Sequence, residues 1–424
     1  MRPDALEEGR RAVLDERTGH RFFALWTVEH IAGCGPGSPV ASLFLGTRYH
    51  RWYDASSDQL PRLLHTTSCE PGELTLREAK DEVEVTAART WLFMLPLGAL
   101  IAGLSIDFLD RRASTTLDPL PSLFADVDRD REDLRIGPSS VLDACVTGCD
   151  EVPERMSFAG DFHGVLLVAR GGLPANGTLD RHLLMSLVSR RASPSRSDFL
   201  TARFPPEPNR YHDTAAAVTP GATALAGHTP EVELATVLCA VQAIGALASL
   251  RHIQRRAFAA LRTLRDLGAR PDGWLGERLD ELRALEVDLS FGVEASLDQR
   301  LLVPSLPVEQ LHRAMVETLS IERGADVTGT MLVRLATAIR AEESRVASVE
   351  RRRSQARRTA AAAAAGIAGV VALPLAFLGT NDSQVSSERS MFELGYYWPY
   401  YAVLIGLVVL TAVTARFYVL RAGD

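Results

Sequence analysis

"RRRSQARRTAAAAAAGIAGVVALPLAFLGTN" (Arg351–Asn381) sets five arginines, Arg351, Arg352, Arg353, Arg357 and Arg358, ahead of a run from Thr359 to Leu378 that carries no charge. About twenty apolar residues at 1.5 Å each cross the ~30 Å of hydrocarbon in a bilayer, so residues 359–378 predict a spanning helix. A second apolar run, residues 399–418, is interrupted only near its end by Arg416. It opens beside Tyr396, Tyr397, Trp398, Tyr400 and Tyr401, an aromatic group suited to a membrane interface. The connecting loop carries Asp382, Glu388 and Glu393 against Arg389, whereas the arginine cluster and Arg421 lie on the other ends. The positive-inside rule then predicts a two-span hairpin in the cell (inner, cytoplasmic) membrane, with both chain ends in the cytoplasm and the loop outside.

Two further apolar runs read differently. Thr90–Ile106 contains Pro96, Gly98 and Gly103, turn residues that fit two short buried strands better than a span. Leu234–Leu250 belongs to a longer helix, expected over Thr229–Leu267, with Thr229 placed to cap it, Pro230 at its first turn and Gln242 inside it. Beyond Leu250 that helix turns basic (Arg251, Arg255, Arg256), as a buried core helix with one wet face would.

The chain has 424 residues, enough for two or three domains. Its net charge of −7 argues against nucleic acid as a partner. All basic residues but Lys80 are arginine, which reads first as coding bias. The five cysteines have no framework spacing; Cys145 and Cys149 lack a second pair, which disfavours zinc and fits reduced thiols. The first residues, MRPDALEEGRRAVLDE, hold no apolar core for a cleavable signal peptide.

"PVASLFLG" (Pro39–Gly46), "TWLFMLP" (Thr90–Pro96) and "GVLLVARGG" (Gly164–Gly172) read as strands, so residues 1–229 are expected to form a cytoplasmic α/β domain with long loops. Residues 230–327 read as a helical subdomain, with helices also over Pro271–Leu289 and Val308–Ile321. A stalk helix follows over 328–358, and 359–424 is the membrane hairpin. In the stalk, Leu332, Leu335, Ile339, Val346 and Val349 fit a seven-residue a/d pattern, with Glu342 at a missing position. No Pro or Gly interrupts Thr330–Ala365, so stalk and first span read as one helix, on the order of 75 Å long. Ala360–Ala365, Gly366 and Gly369 suit close helix contacts in lipid and equally suit a pore wall.

A cytoplasmic domain, a long helix entering the membrane, two carboxy-terminal spans and a short outer loop resemble the CorA family of divalent-cation channels. That family carries Tyr/Phe-Gly-Met-Asn at the outer end of its first span; here Leu378-Gly379-Thr380-Asn381 stands there, with Gly379 and Asn381 matching. Pro374 resembles a proline of that span, one helical turn closer to the motif. The resemblance covers about the last 150 residues and implies a homopentamer with the first span lining a pore. Gly379, Thr380 and Asn381 would form the mouth, Asn381 receiving a hydrated Mg2+ or other divalent cation as the transported or regulatory ion. No tightly bound cofactor is expected. Arg351, Arg352, Arg353, Arg357, Arg358, Gly366, Gly369 and Pro374 become neck and pore positions.

The threonine puts magnesium selectivity in question, and a ring of arginines opposes cation flow unless they face lipid headgroups. A second reading follows: a membrane-anchored sensor or effector, of stress or defence type, whose cytoplasmic domain binds a ligand or partner. Glu286 and Asp288, with Glu294 nearby, read as solvated carboxylates or as a cytoplasmic cation sensor. Asp161/His163 and Asp180/His182 read as loop polar residues before metal ligands, and "GCGPG" (Gly33–Gly37) as a turn. No nucleophile–base arrangement stands out, so no enzyme is expected.

Overall fold

The structure, a computed structural model, describes residues 19–31, 38–39, 60–96, 98–110, 120–129, 131–147, 149, 156–169, 181–189, 196–211, 214–265, 274–294, 297, 305–380 and 394–421. The chain divides into two compact units, Met1–Ala336 and Thr337–Asp424.

The first unit is built on an eight-stranded sheet. Its central strand β1 (His20–Ile31) buries nine consecutive residues, His20 to Val28. Side chains alternate across a strand, so a run buried at every position requires cover on both faces. The expected hairpin flanks it. β5 (Val83–Met94) and β6 (Ala99–Asp110) are longer than the sequence suggested, and turn where Gly98 has φ +81° and Leu95 N–H donates to Ala99 O at 2.9 Å. β3 (Arg62–Cys69) and the short β2 (Ser38–Pro39) extend that side. On the other side of β1 lie β9 (Phe158–Val168), β11 (Ala222–Ala226) and β10 (Ala215–Val218). The order is β10-β11-β9-β1-β6-β5-β3-β2, antiparallel throughout except for the parallel β11/β9 pair. A three-stranded satellite sheet joins β4 (Leu74–Thr75), β7 (Arg135–Ile136) and β8 (Ser139–Ser140).

Short helices cover one face: α1 (Leu120–Phe124), α2 (Val141–Val146) and α3 (Arg181–Ser189). Phe124 meets Phe22 edge to face at 4.7 Å, a close approach that only a glycine at 164 permits: a Cβ there would lie 2.8 Å from both rings. Asp126 pins the preceding loop, its carboxylate accepting from the backbone N–H of Arg77, Glu78 and Ala79 at 2.9–3.0 Å. A single turn-and-a-half helix, α4 (Arg196–Thr201), leads into β10.

The other face is covered by α5 (Pro230–Arg265), which packs on β1, β6 and β9. Among the described residues it is the one helix long and apolar enough to cross a membrane, and 83% of its apolar window is buried inside the fold. It is the core helix that its interruption and basic end suggested. Helices α6 (Trp274–Asp288) and α7 (Leu306–Thr318) pack beside it. An α/β sheet region followed by a helical region is therefore what the chain forms.

Helix α8 (Ile321–Thr380) is continuous through stalk and apolar run, starting a few residues before the expected stalk. Its first turns belong to the sheet unit: Gly324 abuts Leu250, and Gln254 Nε2 donates to the Thr328 hydroxyl at 2.8 Å. Of the a/d stripe, Leu332, Leu335 and Ile339 are buried, whereas Val346 and Val349 are each 42% exposed. In the second unit, α9 (Leu394–Arg421) contains Pro399 and exposes Val403, Ile405, Val408, Val409 and Leu410. The strand expected at Pro39–Gly46 is described only at Pro39; the rest lies outside the described residues, as does "GCGPG".

Candidate functional site

A cleft of about 880 Å3 lies between α5 and the ends of β1 and β9. Both strands are irregular there. Trp26 pairs with Phe162 and Val28 with Phe158, so one residue of β1, Thr27, faces three of β9. The two extra residues are absorbed around Gly160, whose φ of +99° suits glycine and strains other residues. This bulge turns Ala159 and Asp161 into the cleft, and Asp161 N–H donates to Thr27 Oγ1 at 3.2 Å.

Helix α5 supplies the opposite wall. Residues 251, 255 and 258 are spaced i, i+4, i+7, so Arg251, Arg255 and Phe258 share one stripe, with His252 and Arg256 beside it. Arg251 forms an ion pair and hydrogen bond with Asp161, which is only 8% exposed. Burial pushes the Asp161 carboxyl above its ordinary value, opposed by Arg251 and then by Arg255 and Arg131. Arg255 stands 3.8 Å from Glu29, a loose pair, and Arg256 reaches Glu281 at 2.7 Å. Burial lowers His252, and the charges of Arg256 and Arg255 lower it further against Asp288. The cleft thus holds a positive field that one buried carboxylate orients.

The residues singled out in the sequence are spread elsewhere. Asp161 and His163 are not a metal pair: His163 accepts from the Thr223 hydroxyl at 2.9 Å and donates from Nδ1 to the Pro220 carbonyl at 3.3 Å. Asp180 lies outside the described residues and His182 falls in α3. Glu286 and Asp288 are half-buried on α6, and no group of three His, Cys, Asp or Glu side chains suited to a metal occurs among the described residues. Cys145 is buried and donates to Gly103 O at 3.6 Å, its thiol pushed up to about 12 by burial; Cys149 is half-buried, and neither forms a disulfide. Arg351, Arg352, Arg353, Arg357 and Arg358 are all exposed on α8. Gly366 and Gly369 are exposed too, with open space where a Cβ would be. Pro374 lies within α8, Gly379 and Thr380 end it, and Asn381 lies outside the described residues.

Sequence reading named the arginines of the cleft but took them as the wet face of a core helix. In the sequence Asp161 stands beside His163, whereas its partner Arg251 lies ninety residues away. The signal that locates the cleft is the glycine inside a strand-like run, "FAGDFHGVLLV" (Phe158–Val168), which marks a bulge. No protein-family model, no curated protein and no solved structure matches this chain.

Proposed function

We propose that this chain is a membrane-anchored sensor or effector on a CorA-like plan: the sheet unit is a cytoplasmic module that binds a ligand, and the two apolar helices seat it in the bilayer. The observation that carries the reading is Gln254. It lines the cleft and also bonds Thr328 of α8, so one side chain joins the binding wall to the helix that continues to Thr380. A ligand that moves α5 therefore acts on α8 directly.

The anchoring half is supported by α9. Val408, Val409 and Leu410 are consecutive and all exposed, so apolar surface faces every direction around that helix. Such a helix needs an apolar surrounding, and a bilayer supplies one. The exposed arginines from Arg351 to Arg358 suit lipid headgroups at the cytoplasmic face. The exposed Val346 and Val349, with Gly366 and Gly369, favour self-association along α8.

Divalent-cation conduction is the second reading. It is favoured by Gly379 and Thr380 ending α8, where the family's motif stands. In that reading a homopentamer passes a hydrated cation at Asn381, and Asn381→Ala abolishes Mg2+ or Co2+ flux into vesicles containing the purified chain.

Anchoring is tested by labelling Ser386→Cys in intact cells with a membrane-impermeant maleimide. Labelling without lysis is the expected result. Labelling only after permeabilisation would place the loop inside and remove the two-span arrangement.

A further inference from the structure

The geometry points to a nucleotide as the ligand of the cleft, with phosphates at Arg251 and Arg255 and the base against Phe258. The inference rests on reading the sheet unit as a ligand-binding module and adds the class of ligand. Three features select that class.

The first is the arginine arrangement. Arg251 is held by a carboxylate that is itself nearly buried, so its guanidinium is aimed before any ligand arrives. Arg255 is 62% exposed and its 3.8 Å pair with Glu29 is loose, so a phosphate can take the place of that carboxylate. Arg251, Arg255 and Arg256 all line the cleft from α5, facing Glu29 and Asp161 on the strand wall, and Arg131 adds to the field at Asp161, so the positive charge comes from the helix side.

The second is the apolar half of the same stripe. Phe258 lies one turn beyond Arg255 and is 53% exposed while lining the cleft. Ala248, Ala259 and Val28 continue that surface. A phosphate alone leaves this wall bare, whereas a base stacks on it. An aromatic face beside arginines matches an anion joined to a planar ring.

The third is size. About 880 Å3 is in the upper range of small-molecule sites and takes a mononucleotide with its phosphates. Thr27 and Ser249 place polar groups on the two walls within the same space.

The test uses the full chain in detergent and measures heats of binding for ATP, pyrophosphate and adenosine. ATP is expected to bind more tightly than pyrophosphate. Arg255→Gln should weaken ATP by about tenfold or more, the loss of one charge-assisted contact. Phe258→Ala should weaken ATP and leave pyrophosphate unchanged. Because Arg251→Gln alone strands Asp161, the paired variant R251Q/D161N is used, with melting followed to show that it folds. Absence of ATP binding by the wild type overturns the inference, as does equal binding by Arg255→Gln. Pyrophosphate binding as tightly as ATP, with Phe258→Ala indifferent, removes the base and overturns the nucleotide assignment. Displacement of ATP by phosphatidic acid vesicles, but not by phosphatidylcholine vesicles, assigns the cleft to a lipid phosphate and overturns it equally. Ser386 labelling is independent of these heats, so loss of the anchor and loss of the ligand are read separately.

Discussion

Arg251 on the core helix closes on Asp161 in the bulge of β9, joining the two walls of the cleft across ninety residues of sequence. The carboxylate is 8% exposed and the guanidinium 52% exposed, so the pair is buried on one side only. Arg251→Gln should lower stability by roughly 1–2 kcal/mol, less than the 3–5 kcal/mol typical when a fully buried pair is broken. Asp161→Asn should relieve part of that loss. In a double-mutant cycle followed by urea unfolding, a coupling of at least about 0.5 kcal/mol is expected, and simple additivity would show that the pair contributes nothing.

Gly160 tests how the bulge is made. A Cβ at 160 meets open space, so Gly160→Ala creates no clash. Its backbone nevertheless has φ +99°, where a side chain costs about 1–3 kcal/mol. The variant should melt lower and also reposition Asp161, weakening any cleft ligand. Gly72, which has equally open space and no positive φ, provides the comparison: Gly72→Ala should leave the melting temperature nearly unchanged.

Gly245 tests the seating of the core helix. A Cβ there would come within 1.9 Å of Leu95, at the tip of the β5–β6 hairpin. Gly245→Ala must push that buried leucine aside, at about 1–3 kcal/mol. Pairing it with Leu95→Ala, which empties the space, should recover part of the loss. No recovery would mean that α5 and the hairpin are not in contact at this point.

The sequence made the hairpin and the core helix legible for local reasons. Pro96 and Gly98 break an apolar run where a turn must be, and Gln242 with the arginines after Leu250 marks a helix with one wet end. β1 is hard to read from sequence because "HRFFALWTVEHI" carries no alternation: its centre, Phe22–Trp26, is buried on both faces and apolar at every position. The cleft is not legible in sequence because its two halves are distant in the chain, and the packing of α5 on β9 and β1 is what brings Arg251 to Asp161. The stalk stripe was half legible. Leu332, Leu335 and Ile339 are buried, but Val346 and Val349 are exposed, since a heptad marks a helix in need of a partner without saying which.

The arginine cluster separates the two functional readings. Arg351, Arg352 and Arg353 are exposed on α8 and lie within about two turns of the apolar run that starts at Thr359. If they sit at headgroups, changing all three to Gln should weaken retention in anionic vesicles, by about 1 kcal/mol per arginine. In that case Ser386→Cys labelling in a fraction of molecules should also reverse, because the topology signal is thinned. An increase in cation current with unchanged topology would instead place the cluster around a conduction path, favouring the channel.

His312 gives the fold a built-in sensitivity to acid. On α7 it is 1% exposed, and neither ring nitrogen has a hydrogen-bond partner among the described residues. Burial lowers it to about 4, and burial lowers His163 to about 4 as well, against the Pro220 carbonyl. Each imidazole is neutral when folded and takes up a proton near pH 6.5 when unfolded, so between those values the unfolded chain binds more protons. Stability is therefore full above about pH 6.5 and falls as the pH drops toward 4, by up to roughly 3 kcal/mol per histidine. His312→Leu should remove one of the two contributions: its urea midpoint should match or exceed the wild type at pH 7.5 and exceed it clearly at pH 5. An apolar side chain of similar volume also leaves no polar atom unpaired in the core, which is why no loss is expected at the higher pH. Parallel decline of wild type and variant between pH 7.5 and 5 would show that His312 reaches solvent, and that α7 is not sealed against the core helix at that turn.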